Sequence, residues 1–196
     1  MKEKLIIEMI MKYKMILAVA IVFSAFSDAS SQKLYYTRNG HIDFFSSTPM
    51  ENIKADNNKV SSVIDINTGD LEFSALIAAF QFEKALMQEH FNENYMESEK
   101  FPKAMFKGKI MNLAAVKFSE DGTYNADITG NLTIHGVTKE ITTKATFVVK
   151  DGKFKAQSTF VVRPEDYNIE IPKLVREKIA KEIKVSVDNN YEPLNK

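Results

Sequence analysis

Three histidines, many carboxylates and no cysteine bound the chemistry open to this chain. His90 and Glu93 are spaced i, i+3, with Glu97 a further turn on. On a helix all three would share a face, as metal ligands can. The other two histidines are His41 and His135, and no spacing brings either to His90. A charged, solvated helix face explains the grouping better, so no metal site is expected. Ser98 is close to His90 in sequence, but a Ser-His-Asp hydrolase needs its nucleophile on a strained turn, and no Gly-x-Ser-x-Gly stretch occurs. Glu89 with Glu93, or Asp166 with Glu170, can be drawn as an acid–base pair, yet surface carboxylates of a charged chain account for them. No glycine loop suited to cradling phosphate is present. Without cysteine there are no disulfides, thiolate nucleophiles, cysteine-held zinc or iron–sulfur clusters. The expectation is a protein that is not an enzyme, with no catalytic residue, no metal and no cofactor beyond a bound lipid.

Bulk charge narrows the partners. Lysine plus arginine and aspartate plus glutamate both total 26 in 196 residues, so the net charge is zero. Nucleic-acid binders usually carry a clustered basic surplus, so that class is set aside. The N-terminus has the layout of an export signal. Lys12-Tyr13-Lys14 is basic, residues 15–26 are apolar, and Ser27, Ala29, Ser30 and Ser31 are small. The apolar run is too short to span a bilayer. The expected organisation is a signal peptide over 1–31, with translation starting at Met1 or Met11, and one domain over 32–196. The expected location is the periplasm, with release from the cell left open.

From about Asn39 onward the chain alternates with period two, the signature of strands with one apolar face. Tyr124, Ala126, Ile128, Leu132 and Ile134 share one face, and Asn125, Asp127, Thr129, Asn131 and Thr133 the other. The pattern recurs at 41–46, 59–66, 71–77, 104–111, 141–149, 153–162 and 183–188. Asp121-Gly122, His135-Gly136 and Asp151-Gly152 are hairpin signals. Residues 83–100 break the pattern and read as a short helix followed by an irregular excursion. A second helical turn is expected at 173–180, after Pro172. Phe80 and Phe82 do not keep the parity of Leu71, Phe73 and Ile77, which points to a register change near 76–82. Eight strands at hairpin spacing suggest an all-β closed barrel or sandwich.

Several stretches resemble the YceI-like family of exported lipid-binding proteins. They are Asp65-Ile66-Asn67-Thr68-Gly69, Leu86-Met87-Gln88-Glu89-His90-Phe91, Phe101-Pro102-Lys103-Ala104-Met105-Phe106, Gly130-Asn131-Leu132-Thr133-Ile134-His135-Gly136-Val137-Thr138-Lys139 and Arg163-Pro164-Glu165-Asp166-Tyr167-Asn168-Ile169. The run from Gly130 is the most specific. The resemblance implies an eight-stranded antiparallel lipocalin-like barrel with a short helical excursion, holding a polyisoprenoid or similar lipid. The chain departs from the family at Met87-Gln88, where many members have Arg-Asp, and at Tyr95-Met96-Glu97, where they have an aromatic stretch.

A barrel of eight strands either fills itself with side chains or holds one small ligand. Small residues at inward positions, Gly108, Ala126, Gly130, Ala145 and Ala156, would leave a channel. Phe73, Phe106, Ile128, Phe147 and Phe160 would wall it. His90, Asn92 and Asn94 are candidates for contacts to a polar head group at the mouth. The expected function is to hold a long apolar ligand for storage or transport. The alternative is an exported protein-interaction module with a filled core, acting through 83–100 and a loop over 46–59. An open mouth would allow transient membrane contact, and an exposed edge a homodimer.

Overall fold

The computed structural model describes residues 33–194. The expected signal peptide lies outside them. Nine strands run in chain order: β1 (Leu34–Ser47), β2 (Asn52–Asp65), β3 (Asp70–Leu76), β4 (Gln81–Phe82), β5 (Lys103–Ile110), β6 (Gly122–Ile134), β7 (Val137–Lys150), β8 (Lys153–Val162) and β9 (Ile183–Pro193). Eight of them form a closed antiparallel ring, β1-β9-β8-β7-β6-β5-β3-β2, which β2 completes by pairing with β1. β4 is a two-residue strip on the side of β2. Each strand of the ring pairs with its neighbours in the chain once β4 is set aside, so the topology is up-and-down. The eight-stranded barrel with one short helix is the fold expected from the alternation and the resemblance.

Turn chemistry sets the register. Asp151 and Gly152 have φ of 51° and 70°, and His135 and Gly136 have 51° and 75°. Both pairs thus supply the two positive φ angles of a type I′ hairpin, whose twist matches that of the flanking strands. The β6–β7 pairing that follows runs without interruption from Ile134↔Val137 to Gly122↔Val149.

Strand boundaries differ from the sequence reading most at β1 and β2. β1 starts at Leu34 rather than near Asn39, and β2 starts at Asn52 where a loop over 46–59 was expected. The polar run Asp56-Asn57-Asn58-Lys59 looks like a turn. Instead Asn57 is completely buried, and its carboxamide donates to the Leu76 carbonyl (2.8 Å) and accepts from the Lys59 N–H (2.7 Å). These bonds satisfy the backbone where the β1–β2 register slips, between Gly40 and Ile42. The register change expected near 76–82 is a 3-10 turn at Ile77–Ala79, after which Phe80 is buried.

The barrel interior has two parts. At the end carrying the β7–β8 hairpin, Tyr35, Phe118, Phe147, Phe154 and Tyr191 form an aromatic floor. Phe154 lies 4.9–5.6 Å from the other four ring centroids. Phe118 comes from the β5–β6 connection and closes this end from below. Burial pushes the Tyr191 phenol above its ordinary pKa, against smaller opposing pulls from its hydrogen bonds with Ser62 and Asn189. The opposite end is bordered by the β1–β2 turn, the β6–β7 hairpin and two long excursions, residues 77–102 and 163–182.

Candidate functional site

Above the floor the lumen is open. It forms a cavity of about 540 Å³ that ends near Tyr191 and opens between the two excursions. That size lies within the range of small-molecule sites. The inward residues Phe73, Ile134, Ala156, Phe160 and Val162 are only partly buried, although they point away from solvent outside the barrel. The surface they retain faces the cavity.

The mouth is built by the first excursion. Ala85-Leu86-Met87 are strong helix formers, and Ala85–His90 is the one α-helix among the described residues, α1. The Gln88 side chain accepts from the Phe82 N–H at 3.3 Å, which ties α1 to β4. The helix then widens into a π-turn at Phe91–Tyr95. Phe91 meets Phe44, Phe80 and Phe82 with ring centroids 5.0–5.6 Å apart. All four rings are on the cavity wall, and together they anchor the excursion to β1.

Six of the inward residues expected from sequence line the cavity: Phe73, Phe106, Ile128, Ala145, Ala156 and Phe160. Gly108, Ala126, Gly130 and Phe147 are not among its lining residues. Ala126 and Phe147 belong to the packing around the floor. Gly108 and Gly130 face each other across β5 and β6, and the Phe106 ring lies over both. A Cβ on Gly108 would come within 2.5 Å of that ring. The glycines therefore make room for an aromatic side chain, not for a channel. His90 is at the mouth, on the wall; Asn92 and Asn94 are not on it. The Asn92 Oδ1 is buried, with no hydrogen-bond partner among the described residues.

Sequence reasoning missed Phe44 and the apolar stretch of the second excursion, where Ile169, Ile171, Val175 and Ile179 also line the cavity. The helical turn expected at 173–180 is present as a 3-10 helix at Lys173–Lys178. Apolar residues spaced through a region without strand period were the available signal.

The suggested His90–Glu93–Glu97 face does not form, because the helix widens to a π-turn over Phe91–Tyr95 and Glu97 has φ 43°. Glu97 turns instead to His135. Its Oε2 lies 2.8 Å from His135 Nε2, while Nδ1 lies 3.2 Å from the Tyr167 carbonyl. Both partners accept, so an imidazole carrying two N–H groups satisfies both, and a neutral ring only one. The His135 ring also meets Phe101 edge-on at 4.5 Å. One side chain in the β6–β7 turn thus joins both excursions across the mouth. His135→Asn keeps the turn chemistry, since Asn-Gly suits type I′, but removes both long bonds. We expect a loss of about 1–3 kcal/mol and faster protease cleavage within 77–102. Unchanged stability and cleavage pattern would show that the mouth does not depend on His135.

A second polar group sits on the outer wall. His41, Asp43 and Asp56 place one ligand atom each within 4.8 Å of one another. Asp43 and Asp56 face each other across β1 and β2, an arrangement of like charges that needs a cation. Lys54 provides it, with Nζ 3.1 Å from Asp56. Burial opposes ionisation of Asp56, but the hydrogen bonds from Lys54 and His41 outweigh it and hold this carboxyl below its ordinary pKa.

The family model described as YceI-like domain matches residues 28–191. The chain belongs to this family. A curated relative, a UPF0312 protein of Pseudomonas putida (strain W619), is 44% identical over 54 residues, which is 28% of this chain and 24% of that protein. The chain thus matches about a quarter of that relative's length. Among solved structures, a polyisoprenoid binding domain from Saccharophagus degradans, implicated in plant cell wall breakdown, superposes with a TM-score of 0.73. It is 15% identical, and the match covers 83% of this chain and 99% of that one. BcnA of Burkholderia cenocepacia gives a TM-score of 0.65 at 14% identity, covering 78% and 96%. A Campylobacter jejuni YceI protein gives 0.57 at 19% identity, covering 74% and 87%. At these identities the likeness is one of fold.

Proposed function

We propose that this protein binds a long apolar ligand, a polyisoprenoid or another lipid, in the barrel lumen and stores or carries it without transforming it. The observation that carries the reading is the open lumen itself: a cavity of about 540 Å³ with apolar walls above a packed floor. An open lumen is also the reason to prefer this reading over an interaction module with a filled core. Each buried methylene contributes about 0.8 kcal/mol, so a chain of ten carbons gains about 8 kcal/mol before the costs of association. The polyisoprenoid binding domain of Saccharophagus degradans, which shares the fold, supports the same ligand class. The basic, apolar and small-residue sequence of 1–31 supports export to the periplasm, where the carrier would work as a soluble intermediary with transient membrane contact.

Mass spectrometry of an organic extract tests this, using protein purified from the compartment to which its host delivers it. One long-chain species at close to one per barrel is the expected result. A repeatedly empty extract from correctly processed protein would favour the interaction-module reading.

A further inference from the structure

The lumen is chemically graded from floor to mouth. Its deep polar groups are already bonded within the protein. Thr143 and Ser158 bond each other at 3.0 Å, and the Ser158 hydroxyl also lies 2.8 Å from the Lys144 carbonyl. Asn189 accepts from the His41 N–H, and the Tyr191 hydroxyl donates to Ser62. A ligand group at that depth finds no polar atom in need of a partner, which suits a bare hydrocarbon.

The rim differs. Charged side chains on the wall occur only there among the described lining residues, and they are Glu51, Lys84, Arg163 and Lys178, with His90 beside them. Glu51 is the one carboxylate of this set, and Lys84 lies 3.5 Å from it. Arg163 pairs with Glu182, which is off the wall, and Lys178 has no partner among the described residues. The surrounding excursions are rich in carboxylates, including Glu83, Glu89, Glu93, Glu170 and Glu177, yet none of these five lines the cavity. Three cations face the opening against one carboxylate, Glu51, which Lys84 pairs. A chance distribution of charge on such acidic loops would place carboxylates on the wall at least as often.

We propose that the ligand is an amphiphile with an anionic head, a carboxylate or a phosphate, held at the rim by Lys178 and Arg163 with its tail in the lumen. This rests on the reading of the lumen as an apolar-chain site and adds the chemistry of the ligand's other end. Arg163 can turn part of its guanidinium toward the head while keeping Glu182, since five N–H groups are available. Lys178 brings a free ammonium. Binding would weaken as salt screens these exposed charges.

The test uses delipidated full-length domain and three ligands with the same tail: farnesol, farnesoate and farnesyl phosphate. Titration calorimetry at low salt should show one or both acids binding about tenfold more tightly than the alcohol, and which acid wins separates a carboxylate head from a phosphate. Lys178→Glu should bring the acid-to-alcohol ratio close to one. Equal affinities for all three in the unmodified protein would overturn the anionic head while leaving the apolar-chain reading intact. Binding of none would overturn both. A ratio unmoved by Lys178→Glu would overturn the assignment to this rim.

Discussion

Ala156→Phe should give a folded barrel that has lost most of its affinity for an apolar chain. Ala156 points into the lumen and retains exposed surface there, with Phe147 beside it on β7 and Asn189 on β9. A ring at this position would stand on the floor and fill the deepest part of the cavity. It would displace the length of three or four methylenes, each worth about 0.8 kcal/mol, so affinity should fall by about a hundredfold. Filling an existing void avoids the strain of overpacking a full core. The melting temperature should therefore hold or rise slightly. Displacement of a bound fluorescent fatty chain measures the first effect and thermal denaturation the second. An unfolded variant would mean that the site is packed core, and unchanged affinity would mean that the chain does not reach it.

Phe147→Ala should do the reverse and damage the fold itself. Phe147 is 1% exposed and meets Phe118 and Phe154 at 5.6 Å, edge to face with the first. Deleting a buried phenylalanine costs about 3–5 kcal/mol, because transfer energy and packing are lost together. Removing this ring also takes one of its two aromatic contacts from Phe118, which closes the barrel from outside the strands and keeps Phe154. Urea titration measures the change. A loss under about 1 kcal/mol would show that the floor collapses around the vacancy and that its aromatic packing is dispensable.

The two variants lie on neighbouring strands with their side chains on the same face, and only one of those facts is written in the sequence. Alternation makes the inward face of β6, β7 and β8 readable, because a half-buried strand must separate its apolar and polar residues by parity. Depth along the strand is not readable that way. Ala126 and Phe147 have the parity of Ile128 and Ala145, yet they lie off the cavity, where Phe118 and Phe154 pack around Phe147. Gly108 and Gly130 looked like open space for a similar reason, since nothing local shows that the Phe106 ring leans over them. The start of β2 is hidden because Asn57 is a turn former by type; it joins the strand by pairing with Ile42, and the Leu76 carbonyl satisfies its side chain. The contact between Glu97 and His135 joins positions far apart in sequence, each of which suggested something else: one a metal ligand, the other a plain turn. The short helix and the helical turn after Pro172 were legible, being local. Their placement as two sides of one opening was not.

A tube sealed at one end is also a gauge. For any chain that enters tail first, each added carbon gains contact with the wall until the tip meets the aromatic floor; beyond that, further carbons stay outside in water. Plotted against chain length, affinity should rise steadily and then level off, and the position of the bend would measure the distance from rim to floor. The five aromatic rings that close this barrel thus do more than stabilise it: they set the length of molecule to which it responds.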